Sequence, residues 1–221
     1  MKRFNLNKQI KISLLSVMAF LLMFIEVSIP IFPQFLKIDI SDLPALIGTF
    51  ALGPLSGVLI EFFKNLFHGL FVGKTAFVGE FANFSVGSLM VITSGIIYKI
   101  NRTKKNAILG LIIGTLVMSL GAGILNYFVL LPLYESVLNI PIDAIVEMSG
   151  KVNHNITNLN TLIVWAIIPL NILKGSIISV ITIALYKKVS PLLHADDAVT
   201  VEQKILLNFK KSSIFNYYNI P

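Results

Sequence analysis

The chain has 221 residues, of which 55% are hydrophobic and only 13% are charged, and its mean hydropathy is +0.82. A soluble domain carries about 25% charged residues, so this composition excludes a water-soluble globule, and the many apolar residues exclude a disordered chain. The remaining class is a polytopic membrane protein with an all-α fold. Cysteine is absent, which excludes disulfide scaffolds, thiolate metal sites and cysteine nucleophiles.

Apolar runs predict six transmembrane helices within a membrane domain that covers residues 1–194. The first helix follows a short basic segment, and Pro30 and Pro33 are expected to end it. Gly53 and Pro54 divide the second helix from the third. The six predicted ranges are 10–32, 42–52, 54–71, 79–98, 106–132 and 160–186.

The segments between and after these helices also carry predictions. Residues 35–42 alternate apolar and polar side chains, which predicts a short extended or hairpin-like loop, and Ser41 or Asp42 can cap the helix that follows. Residues 135–158 are expected to form the longest polar loop. Residues 195–221 are polar with some amphipathic character, and we expect a weakly ordered cytoplasmic tail.

The basic residues are distributed unequally between the two sides of this topology. If the N-terminus is inside, three basic residues lie in outer loops, Lys37, Lys74 and Lys151. Ten lie in inner segments before the tail: Lys2, Arg3, Lys8, Lys11, Lys99, Arg102, Lys104, Lys105, Lys187 and Lys188. The asymmetry predicts a multi-pass cell-membrane protein with both termini cytoplasmic. It also explains most of the net charge of +7 without nucleic acid as a partner.

Polar side chains within the predicted helices indicate a ligand site. Lys174 lies near the middle of the sixth helix, and Asn171 lies three residues earlier on the same face. Asn126 and Tyr127 lie toward the outer half of the fifth helix. Amide, ammonium and phenol groups suit a polar ligand rich in carbonyls and hydroxyls. The alternative is that Lys174 snorkels or pairs with a carboxylate for structural reasons.

The third helix carries a second polar stripe, made of Glu61, Lys64, Asn65 and His68. Their spacing places them on one helical face, where they could form a proton relay or a metal site. We favour a neutralising Glu61–Lys64 pair with the other two side chains bonded nearby. Outside this stripe the sequence has no nucleophile elbow, paired catalytic aspartates or zinc signature, so we predict no catalytic residue, no metal site and no cofactor.

A set of short motifs, in order over residues 10–190, resembles one known family. The motifs are Phe35-Leu-Lys-Ile-Asp-Ile-Ser-Asp-Leu-Pro-Ala-Leu, Gly53-Pro-Leu-Ser-Gly, Lys64-Asn-Leu-Phe-His68, Gly79-Glu-Phe-Ala-Asn-Phe84, Asn126-Tyr-Phe, Pro132-Leu-Tyr134 and Pro169-Leu-Asn-Ile-Leu-Lys-Gly175. Together they resemble the riboflavin-specific substrate-binding (S) components of energy-coupling factor (ECF) transporters. The resemblance implies a six-helix S-component fold that binds riboflavin, as transported ligand, in a cavity open to the outside.

The resemblance also implies roles for particular residues. Asn126, Asn171 and Lys174 correspond to ligand-contacting polar residues. Leu36 and Asp39 fall in a loop that covers the cavity, and Glu80 and Asn83 fall on the fourth helix near it.

Family members are not enzymes, and they work in the bilayer with a transmembrane coupling subunit of the EcfT type and two cytoplasmic ATPases. Helix one would dock the coupling subunit, and its small residues Ser13, Ser16 and Ala19 match the family's alanine pattern only loosely.

Two alternatives stay open. One is an S component for another vitamin, such as thiamine or pantothenate, although a central Lys174 disfavours cationic thiamine. The other is a membrane-embedded enzyme that uses Glu61 and His68.

Overall fold

The computed structural model describes residues 6–185, and the proposed tail and its boundary at residue 194 lie outside them. These residues form seven helices and one small two-stranded sheet. The helices are α1 (Leu6–Met23), α2 (Asp42–Leu52), α3 (Pro54–Phe71), α4 (Val78–Ile100), α5 (Lys104–Leu138), α6 (Ile142–Gly150) and α7 (Leu159–Leu185). The strands are β1 (Glu26–Ser28) and β2 (Lys37–Asp39).

The fold is helical, as predicted, but the count of six membrane-spanning helices is not confirmed. In residues 6–185, four helices are long and apolar enough to cross a membrane, namely α1, α4, α5 and α7. Helix α2 is apolar but has only 11 residues. Helix α3 has 18 residues and carries buried Glu61 and Lys64 in its middle.

The first helix ends earlier than predicted, at Met23 rather than residue 32. The apolar residues that follow form β1, which pairs antiparallel with β2 so that Val27 lies opposite Ile38. Lys37 forms an ion pair with Glu26 across the two strands. The expectation of a hairpin-like segment at residues 35–42 is therefore confirmed, and its first strand comes from residues assigned to the helix.

The break between α2 and α3 follows the prediction. Gly53 has φ +98°, a backbone conformation that side chains with a Cβ rarely adopt, and Pro54 occupies the first turn of α3. The expected cap of α2 is wrong, because no side-chain capping bond forms at Ser41. Ser41 instead accepts a hydrogen bond from Lys64 Nζ at 2.9 Å.

Helices α5 and α7 each contain a π-helical segment, Asn126–Leu130 and Ile163–Ile167, that ends two residues before a proline. A proline in a helix lacks an N–H donor and clashes with the carbonyl four residues earlier, and wider π-helical turns are a known accommodation within helices. Helix α5 therefore continues past Pro132 to Leu138, six residues beyond the predicted end. The predicted polar loop 135–158 is also wrong, because it contains the end of α5 and all of α6.

Small residues allow close helix packing, as their pattern indicates. Gly110 and Gly114 of α5 lie against α4, where Ser94 Oγ donates a 3.0 Å hydrogen bond to the Gly110 carbonyl. On α1, however, Ser16 and Ala19 are fully buried within the chain, whereas Ser13 is exposed. These two small side chains pack inside the protein, on the helix that contacts α2 and α3, and the docking role of the three residues stays a prediction.

Candidate functional site

Lys174 lies in α7 and is bound by two carboxylates. Its Nζ atom lies 3.1 Å from Asp39 Oδ2 and 3.1 Å from Asp42 Oδ2. Asp39 comes from β2 and Asp42 from the first residue of α2, so one ammonium group connects three elements. An unpaired lysine at the centre of a membrane helix costs about 2.5–3.5 kcal/mol on insertion scales, and the two carboxylates offset that cost.

Asp39 is held in the hairpin by both of its oxygens. The backbone N–H of Ser41 donates to Oδ1 at 2.8 Å, and Lys174 donates to Oδ2. Burial alone would raise the pKa of Asp39, but the ammonium groups of Lys174 and Lys64 outweigh it and hold that pKa below its usual range. Asp39 is therefore ionised at neutral pH and attaches the hairpin to α7.

The charges continue into α3. Lys64 is fully buried, forms an ion pair with Asp42, and lies 2.8 Å from Glu61 Oε2. Asp39, Asp42, Glu61, Lys64 and Lys174 thus form one connected group, called here the charged cluster. It joins the hairpin, α2, α3 and α7.

Glu61 occupies the end of the charged cluster that faces α4. Its carboxylate packs against the backbone of Gly87, where a Cβ would lie only 2.6 Å from Oε2. The next turn of α3 is closed by Asn65, which donates to the Glu61 carbonyl at 2.8 Å. The interpretation of the α3 stripe as a neutralising ion pair agrees with these contacts.

Asn126 and Asn171 lie in α5 and α7 at the edge of an apolar cluster. Each amide donates one hydrogen bond to its own helix, to the carbonyls of Ala122 and Ile167, both at 2.8 Å. Ala122 and Ile167 belong to the apolar cluster. Both asparagines are half-buried, and each has a carbonyl oxygen and a second N–H that these bonds do not use. They can therefore bond to an amide or carbonyl group of a ligand.

The hairpin covers this apolar cluster. Phe32 and Ile38 of the hairpin segment pack with residues of α5, α6 and α7, and Leu36 packs against them. The members of the cluster are Phe32, Ile38, Ala122, Leu131, Ile145, Val146, Ile156, Leu162, Ile163, Ala166, Ile167 and Leu170. Ile38 thus reaches the apolar cluster while the next residue, Asp39, joins the charged cluster.

The other predicted site residues do not share these contacts. Glu80 binds His68 Nδ1 at 2.9 Å and accepts from Thr75 Oγ1 at 3.0 Å, at the turn between α3 and α4. Asn83 is half-buried on α4. Tyr127 is 38% exposed and its ring contacts Phe128.

Sequence reasoning missed the contribution of Asp42 and Lys64 to the Lys174 environment. In the sequence, Asp42 stands where a helix cap is expected, and Glu61 is a nearby partner for Lys64. Neither position therefore indicates a contact with the Lys174 environment. The available signal was charge balance, since each buried lysine in a membrane helix needs a carboxylate. Two carboxylates within residues 39–42 could have been assigned to two lysines on this ground.

The sequence matches the family model described as "ECF transporter, substrate-specific component" over residues 7–186. The chain belongs to the S-component family of ECF transporters. Members of this family are subunits of transporters, so the chain is a multi-pass membrane protein of transport and not an enzyme. The fold is similar to a solved structure described as "Structure and mechanism of the S component of a bacterial ECF transporter". The TM-score is 0.66 and the sequence identity is 40%, over 85% of this chain and 97% of that chain.

Two similar proteins are named as riboflavin transporters. The chain is 44% identical to "Riboflavin transporter RibU" of Staphylococcus aureus, over 85% of this chain and 93% of the relative. It is 34% identical to "Riboflavin transporter FmnP" of Bacillus subtilis, over 85% of this chain and 94% of the relative.

Proposed function

We propose that this chain is the riboflavin-binding subunit of an ECF vitamin uptake transporter. The observation that carries the proposal is the pair of half-buried asparagines beside an apolar cluster, in a chain similar to two riboflavin transporters. Riboflavin has a flat ring with carbonyls and a hydroxylated chain and is uncharged near neutral pH. Amide groups can bond its polar edge, and aliphatic side chains can enclose its ring.

Within this proposal, Asn126, Asn171 and Lys174 contact the flavin. Leu36 and Asp39 lie in the hairpin that covers it. Glu80 and Tyr127 have contacts elsewhere, so we assign them and Asn83 at most to the surroundings of the site.

The experiment is a titration of the detergent-purified chain with riboflavin, followed by quenching of flavin fluorescence. We expect a saturable one-to-one complex and a yellow colour in protein that co-purifies with its ligand. Thiamine and pantothenate serve as competitors. Displacement by either vitamin, or no saturable quenching, would refute the riboflavin assignment.

We further propose that the chain works with a transmembrane coupling subunit and two cytoplasmic ATPases and that both termini are cytoplasmic. The excess of basic residues in the predicted inner segments supports the orientation. Because the chain has no cysteine, Lys105→Cys and Asn155→Cys can each be labelled alone in intact cells. An impermeant maleimide should label only Asn155→Cys, and the reverse pattern would invert the topology.

A further inference from the structure

The charged cluster contains three carboxylates and two ammonium groups. Its net charge is −1 when Glu61 is ionised and zero when Glu61 is protonated. Lys64 is shared between Asp42 and Glu61, and Lys174 is shared between Asp39 and Asp42. In both states the neighbouring carboxylates compensate the positive charge of Lys174.

This balance is not required for stability alone. Buried ion pairs are often no more stabilising than well-packed apolar side chains of similar volume. Asp42 is shared with Lys64, so Lys174 depends on a second carboxylate, and this one, Asp39, lies in the hairpin beside the apolar cluster. The second carboxylate therefore has a consequence for what can bind near Lys174.

The consequence concerns negatively charged ligands. A lysine alone in a binding site attracts phosphate strongly as a point charge. At a separation of about 8 Å and an effective dielectric constant of about 20, one added unit charge changes the binding of a monoanion by about thirtyfold. Asp39 and Asp42 cancel that attraction, while a neutral carbonyl or hydroxyl can still accept a hydrogen bond from the Lys174 ammonium.

We propose that Asp39 and Asp42 are specificity-determining residues, which neutralise Lys174 so that the site accepts an uncharged flavin and rejects its 5′-phosphate. This inference rests on the proposed function. It assigns to the two aspartates a role in ligand choice that is separate from any direct contact with the flavin ring.

The test compares the dissociation constants of riboflavin and flavin mononucleotide for the purified parent and for Asp39→Asn. We expect the parent to bind flavin mononucleotide more weakly than riboflavin. In Asp39→Asn the ratio of the two constants should fall by at least about tenfold, because the charged cluster loses one negative charge beside Lys174. A general loss of folding or packing would weaken both ligands and leave the ratio unchanged.

Three further variants complete the test. Asp42→Asn should lower the ratio in the same direction, Asp39→Glu should keep the parental ratio, and Asp143→Asn, which removes an exposed carboxylate on α6, should also keep it. If the parent binds riboflavin but does not discriminate against the phosphate, or if the ratio in Asp39→Asn equals the parental one, the inference is refuted. If the parent binds no riboflavin at all, the proposed function fails instead.

Discussion

Polar side chains inside α3 and inside α5 and α7 meet their bonding requirements in opposite ways. Lys64 of α3 is fully buried between Asp42 and Glu61, and its charge is neutralised within the protein. Asn126 and Asn171 use one amide hydrogen each on their own helix and keep the remaining groups available. The difference separates polar residues that stabilise the fold from polar residues that can bind a ligand.

The largest expected effect is on stability and comes from removing the buried ammonium group of Lys64. Lys64→Met should destabilise the protein by about 3–5 kcal/mol, because it leaves Asp42 and Glu61 buried without their ammonium partner. Thermal unfolding in detergent measures the loss. Lys151→Met, which removes an exposed lysine paired with Glu147, should change stability by less than about 1 kcal/mol. Equal melting temperatures for the two variants would contradict the importance of the buried pair.

A second substitution tests the interior packing of α1. Ala19→Trp should destabilise the chain by about 1–3 kcal/mol through overpacking, because Ala19 is fully buried. Ser13→Trp, on the exposed side of the same helix, should leave the unfolding temperature nearly unchanged. If Ala19→Trp unfolds like the parent and only loses association with a coupling subunit, position 19 faces outward after all.

Substitution of a half-buried asparagine should weaken ligand binding and leave the stability of the protein nearly unchanged. Asn171→Ala should weaken riboflavin binding by about 1–3 kcal/mol, the range for leaving a buried ligand group without its hydrogen bond. Its unfolding temperature should change little, because the amide bonds only to its own helix. Fluorescence titration measures the affinity, with exposed Asn155→Ala as the control. Parental affinity in Asn171→Ala would remove this residue from the site.

The hairpin between these two arrangements should control ligand release. Ile38 is buried in the apolar cluster, and Val27 lies directly opposite it but is exposed. Ile38→Ala should raise the riboflavin dissociation rate about tenfold, because most affinity changes among related variants appear in dissociation. Val27→Ala should change it less than about twofold. Stopped-flow fluorescence distinguishes them, and equal rates would make the hairpin a simple connector.

The smallest expected effect concerns pH. The folded-state pKa of Asp39 lies below its unfolded value of about 3.9, so its contribution to stability is fully present above that value and is lost only as pH falls toward the folded pKa. The difference in unfolding temperature between the parent and Asp39→Asn should therefore stay constant from pH 5 to pH 8. A difference that shrinks on going from pH 6 to pH 5 would contradict the depressed pKa.

Helix ends that a glycine–proline pair marks could be predicted from the sequence. Helix ends that depend on tertiary contacts could not. Gly53 and Pro54 mark the α2–α3 break, and both helices have their predicted bounds. The predicted end of α1 at residue 32 is wrong because residues 24–32 are largely apolar, and hydropathy does not separate a short strand from a helix. The predicted fifth helix ends at Pro132, whereas the helix continues beyond this residue after a π-helical segment.

The same limit applies to the candidate site. Spacing within one helix correctly placed Asn171 near Lys174 and Glu61 near Lys64. The partners of Lys174 are Asp39 and Asp42, and the ion pair with Asp39 joins residues that are 135 positions apart. No local pattern encodes such a contact. Only the requirement for charge balance in an apolar environment suggests it.

The distance along the chain between Asp39 and Lys174 has a consequence for how the protein is made. During synthesis, Asp39, Asp42, Glu61 and Lys64 emerge long before Lys174. Until α7 enters the bilayer, three carboxylates are matched by one lysine, so the early helices carry an excess negative charge that water or lipid headgroups must solvate. Insertion of α7 brings the second ammonium group, which binds Asp39 and Asp42 and reduces that excess. Assembly of the hairpin onto the helices therefore waits for α7, and a nascent chain that stops before residue 174 should remain a substrate for membrane quality control.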